Sequence, residues 1–147
     1  MRVLVLGGTG MIGSAVVRVM VGRGHELFGL ARSEVSAAKL RQSGAMPLAG
    51  DIGSPETWAA GLPPPDAVVH MACDFTTDMG AFDRRLLDVL LPALVAQPTK
   101  PRFIATGGCW LFGATGDDIA TEATPFCPLP AFAWMAPQLQ RVLASVA

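Results

Sequence analysis

The chain has 147 residues, of which 51% are hydrophobic and 16% charged, a balance that excludes a disordered polymer and allows one domain, 1–147, with a real core. Its net charge is −1, and no Lys/Arg cluster offers a footprint for nucleic acid or an anionic membrane surface.

Strand-like and helix-like stretches alternate along the chain. Val3–Leu6 is a short apolar run of the kind buried on both faces of a parallel sheet. Met11–Val21 reads as a helix, with Gly22 and Gly24 suited to its C-terminal cap. Glu26–Ala31 is a second strand, and Ser33 is placed to cap a short helix over Val35–Gln42. Ala45–Gly50 gives a third strand. Ser54-Pro55-Glu56 has the cap-then-proline pattern that opens a helix. Asp66–Met71 is the fourth strand. Asp78–Ala96 is a long helix in which Pro92 should cause a kink or an early break. Arg102–Thr106 is the fifth strand. A proline-rich loop follows over Asp117–Pro130, and a last helix is predicted over Pro137–Val146. Short links between alternating elements imply right-handed crossovers and a parallel α/β sheet of about five strands, order 3-2-1-4-5, with helices on both faces.

The first strand runs directly into Gly7-Gly8-Thr9-Gly10-Met11-Ile12-Gly13, which opens the first helix. Glycine at 7 permits the tight turn, glycine at 10 lets backbone approach a pyrophosphate, and glycine at 13 lets helix lie close to strand. Amides at the positive end of that helix favour phosphate. This is the Rossmann-type arrangement for a dinucleotide. The interval from Gly8 to Gly13 also fits a P-loop, but Ser14 follows Gly13 with no lysine between them, which argues against nucleoside-triphosphate hydrolysis.

The end of the second strand bears on the choice of cofactor. Asp or Glu there reads the ribose 2′-hydroxyl of NAD, and a cation accommodates the 2′-phosphate of NADP. The residues are Ala31-Arg32-Ser33. Arg32 can pair with a 2′-phosphate and stack on adenine, and Ser33 can add a hydrogen bond, so NADP(H) is favoured over NAD(H). A solvated arginine near a helix start is the competing reading. Glu34 lies later, in the first helical turn. Asp51, after the third strand, can accept from the adenine amino group or serve as an ordinary turn aspartate.

Val3–Ser14, Gly50-Asp51-Ile52, Val68–Ala72 and Phe103–Gly113 together resemble the extended and atypical short-chain dehydrogenase/reductases, the NAD-dependent epimerase/dehydratase group. The resemblance spans nearly the whole chain but only the N-terminal half of a usual member, so the C-terminal substrate domain is expected to be missing. It implies that Gly7, Gly10, Met11 and Ile12 meet the pyrophosphate, that Asp51 and Ile52 flank adenine, and that Ala72 and Cys73 line the ribose side. Thr9, Gly13 and Thr106 complete the candidate cofactor-contact set. The family's catalytic Ser/Thr falls on Gly108, and its Tyr-x-x-x-Lys pair falls on Ala131 and Met135. The sequence contains no tyrosine, and its lysines, Lys39 and Lys100, both precede that region. The proton donor and its pKa-lowering partner are thus both absent.

His70 sits in the apolar fourth strand and reads as a core histidine rather than a base. Cys73, Cys109 and Cys127 are odd in number and widely spaced, without C-x-x-C, and suit reduced thiols in a cytoplasm rather than disulfides or a metal site. Cys109 is expected to be a small buried hydrophobe. No apolar run reaches about 18 residues, and glycines interrupt the N-terminal run at once, so neither a membrane span nor a signal peptide is expected. The leucines of 78–96 should pack on the sheet, with homodimerisation through any remaining apolar surface. Three functions stay open: a dinucleotide-binding module without catalysis, an NAD(P)-dependent oxidoreductase or epimerase completed by another chain or by residues such as Thr106 and Asp74, and an interaction protein that keeps the fold alone. A small-molecule substrate is not legible.

Overall fold

A computed structural model describes residues 1–145. Five parallel strands, β1 (Arg2–Leu6), β2 (Glu26–Ala31), β3 (Met46–Ala49), β4 (Ala67–His70) and β5 (Arg102–Ala105), form one sheet in the order β3-β2-β1-β4-β5. Four helices join or follow them: α1 (Met11–Gly22), α2 (Glu34–Gln42), α3 (Met79–Val95) and α4 (Met135–Ser145). Val146, the last residue assigned to the final helix from sequence, lies outside the described residues.

The alternation of side chains along β1 divides the core in two. Val3 and Val5 pack with Val17, Leu27, Leu40 and Val69 under α1 and α2, while Leu4 and Leu6 pack with Val68, Phe103 and the leucines of α3 on the other face. Leu86, Leu87, Leu90, Leu91 and Leu94 are all buried there, each contributing roughly 1.5–3 kcal/mol of transfer free energy. The apolar face of α3 is therefore taken up by its own core, and Val95 is the large hydrophobe that it leaves exposed.

One local expectation fails. The segment after Ser54 forms two single turns of 3₁₀ helix, Pro55–Thr57 and Ala59–Gly61, rather than an α-helix. The hydroxyl of Ser54 caps nothing. Instead Trp58 is buried between the turns and donates from Nε1 to the carbonyl of Asp51 at 2.7 Å, while Gly61 and the prolines beyond it leave no room for a longer helix. At Pro92, by contrast, α3 does not break. The proline side chain points to solvent, and Ala96 N–H donates to Pro92 O at 3.0 Å, closing the last turn while Leu90, Leu91 and Leu94 hold it to the sheet.

The turn from β1 to α1 fixes the rest. Gly7 has φ +86°, and a Cβ there would lie 2.8 Å from Ala72 N. Gly13 is buried in the first turn of α1, where a Cβ would overlap the carbonyl oxygen of Gly7. Helix and loop thus meet backbone to backbone. Gly13→Ala should cost about 3 kcal/mol, because the obstacle is main chain rather than a side chain that can rotate; urea unfolding would measure it, and a midpoint unchanged from wild type would contradict the contact.

Candidate functional site

The C-terminal ends of β1, β2, β3 and β4 open into one cleft of about 310 Å³, lined by Gly7, Thr9, Gly10, Leu30, Arg32, Ser36, Gly50, Ile52, Met71, Ala72, Cys73, Asp74 and Phe82. Its floor is the glycine turn, where Gly10 N–H donates to Gly7 O at 3.0 Å. No side chain caps α1, whose own ladder begins with Ser14 N–H to Gly10 O at 2.9 Å. The amides of Met11, Ile12 and Gly13 precede that ladder at the positive end of a twelve-residue helix, an arrangement that attracts anions. The Met11 and Ile12 side chains are exposed, so these residues offer the site backbone rather than side chain.

Of the candidate residues, Gly7, Thr9, Gly10, Arg32, Ile52, Ala72 and Cys73 come together on the cleft wall. Gly13 lies behind it as a packing residue. Ser33, Asp51 and Thr106 do not line it. The Ser33 hydroxyl is occupied as the α2 cap, accepting from Ser36 N–H at 3.2 Å and meeting Ser36 Oγ at 3.1 Å. Ser36, one turn on, reaches the cleft instead; the Ser33-x-x-Ser36 spacing carried that signal. Asp51 closes a turn, its Oδ1 accepting from Gly53 N–H at 2.8 Å. Thr106 continues β5, donating its N–H to His70 O at 3.0 Å. Phe82 and Gly50, both missed from sequence, enter because α3 and the end of β3 lean over the same opening.

Charge is unevenly placed around the cleft. Arg32 forms none of the ion pairs found among the described residues, whereas Glu34 is tied to Arg41 at 2.6 Å. Asp74 accepts from Thr76 N–H at 2.9 Å and Thr76 Oγ1 at 2.6 Å. Those bonds, with the Arg32 guanidinium as a smaller cause, hold its carboxyl below the usual carboxylate range. Cys73 shows the opposite effect. Although Cys73 is an exposed residue, partial shielding of its thiol from water, then the carboxylates of Asp83 and Asp74, push that thiol above the ordinary range.

His70 is buried, and its Nε2 lies 2.7 Å from Asp83 Oδ1, which ties the end of β4 to α3. The sequence showed no partner for it, because Asp83 is thirteen residues away on another element. At the end of β5, the indole of Trp110 lies against Gly108, so that a Cβ on Gly108 would overlap it, and stacks on Phe132 with ring centroids 4.4 Å apart. Cys109 is exposed, contrary to expectation, since Leu111 is the residue of this turn that points into the core. Among the described residues no three His, Cys, Asp or Glu side chains gather to hold a metal, and no helix is long and apolar enough to cross a membrane.

A parallel sheet in this order, with its first strand turning through close-packed glycines into an uncapped helix, defines a Rossmann-type domain. The model of the NAD dependent epimerase/dehydratase family matches residues 3–135, and the chain belongs to that family. An uncharacterized protein of Schizosaccharomyces pombe is 35% identical over 136 residues, covering 88% of this chain and 45% of its own length. Among solved structures, the UDP-glucose 4-epimerase of Bifidobacterium longum, in complex with NAD+ and UDP, superposes with a TM-score of 0.81 at 18% identity, over 98% of this chain and 48% of that one. A human epimerase family protein with NADPH gives a TM-score of 0.72 at 22% identity, over 100% of this chain and 49% of that one. The chain thus spans about half the length of these relatives.

The raised thiol of Cys73 has a measurable consequence. At about pH 8 iodoacetamide should modify Cys73 more slowly than an unstructured cysteine peptide, and the gap should narrow as pH rises, because only the thiolate reacts. Asp74→Asn removes one of the opposing charges and should speed the reaction. Mass-spectrometric alkylation rates across pH test this; a Cys73 faster than the peptide would reverse the assignment.

Proposed function

We propose that this chain binds a nicotinamide dinucleotide, NADP(H) in preference to NAD(H), and that it does so without the acid–base pair of its family. The observation that carries the reading is that one cleft joins the bare N-terminus of α1 to Arg32, with no carboxylate at the end of β2. The diphosphate would sit against the amides of the glycine turn. Arg32 would take the 2′-phosphate, with Ser36 beside it on the same wall. Ile52 and Leu30 offer the apolar surface that an adenine ring needs, and Ala72 and Cys73 border the adjoining ribose. The bound group would supply hydride-carrying chemistry; the chain supplies recognition and orientation.

The positions that match the family's catalytic residues are Gly108, Ala131 and Met135, none of which can donate a proton. The Trp110 ring against Gly108 is consistent with a corner that no longer holds a hydroxyl. The bordering epimerases solved with NAD+ or NADPH agree with a dinucleotide in general and leave the choice between the two to Arg32.

Titration of NADPH fluorescence should show saturable binding. Arg32→Asp should weaken NADP(H) by about ten-fold or more and NAD(H) much less, since a charge-assisted bond to phosphate is worth roughly 1.5–3 kcal/mol. Equal losses for both would remove Arg32 from the 2′-phosphate, and no binding at all would overturn the proposal. Turnover by the isolated chain with carbonyl or sugar-nucleotide substrates would overturn its non-catalytic part.

A further inference from the structure

Arg32 follows β2 and Asp74 lies beyond β4, the two strands that flank β1, so the residues stand on either side of the glycine turn and both line the cleft. Asp74 is the only carboxylate among the described lining residues. Two hydrogen bonds from Thr76, at 2.9 and 2.6 Å, fix its Oδ1. The carboxylate is therefore a hydrogen-bonded negative charge lining the same cleft as the site's cation, and Thr76 and, to a smaller degree, Arg32 favour its charged form.

We propose that Asp74 is a specificity-determining residue: lining the same cleft, and without forming an ion pair with Arg32, its negative charge partly offsets the guanidinium that a ligand phosphate would meet. This rests on the dinucleotide reading of the cleft. Arg32 then attracts the 2′-phosphate less than a free guanidinium would, and the preference for NADP(H) over NAD(H) is held below what Arg32 alone would give. The 2′-hydroxyl of NAD(H) carries no charge, and any effect of Asp74 on the diphosphate is shared by both dinucleotides, so Asp74 acts on the ratio of the two affinities. The carboxylate acts by balancing charge and takes no part in proton transfer.

Asp74→Asn removes the charge and keeps an oxygen for Thr76, so the turn should persist; Asp74→Ala reads the same charge loss without that acceptor. Calorimetric titration of each variant with NADP+ and NAD+ should show NADP+ tightened about three- to five-fold more than NAD+, the effect of one neutralised charge in water-exposed surroundings. In an Arg32→Ala background that extra NADP+ gain should vanish. Equal gains for both dinucleotides, no gain, or an extra NADP+ gain retained without Arg32 would each overturn the inference. A wild-type chain that binds neither dinucleotide removes the underlying reading as well, whereas binding by wild type with Asp74 variants unchanged removes this inference alone.

Discussion

The contact between Gly13 and the carbonyl of Gly7 sets the distance between the first helix and the first strand. Only hydrogen atoms separate the two stretches of backbone there. Because α1 begins so close to β1, its first amides point out of the strand ends rather than into a side-chain cap. Because Gly7 turns through positive φ against Ala72, the loop also meets the end of β4. One steric constraint thus gives the cleft its floor and brings two of its walls together.

The rest of the molecule keeps those walls in place. Leucines from α3 fill one face of the sheet, while α1 and α2 seal the other. His70 and Asp83 add a polar tie between β4 and α3 beneath the loop that carries Cys73 and Asp74. Breaking a buried pair of this kind strands one polar partner, so it fixes the relative placement of strand and helix more than it adds net stability. Opposite charges at the rim, Arg32 and Asp74, then act on a scaffold whose backbone cannot easily shift.

Much of this was legible in the sequence because parallel strands buried on both faces read as short apolar runs, and because the glycine spacing is dictated by backbone contact. The five strands, their order and the turn at Gly7 to Gly13 follow from that local information. What escaped depends on competition between neighbours. Ser33 was legible as the α2 cap, whereas the place of Ser36 on the cleft wall was not. Of the two roles open to Asp51, the structure shows the turn. The 3₁₀ turns after Ser54 reflect a tryptophan seeking both burial and an acceptor, which no helical periodicity encodes. Asp83 is a partner that only the tertiary fold brings to His70.

The indole against Gly108 narrows what that position accepts. While Trp110 stays stacked on Phe132, the first carbon of any side chain at 108 would share space with the ring. A larger residue there needs the aromatic ring to swing away and give up the stack. Gly108 and Trp110 are thus coupled positions, each free to change only together with the other.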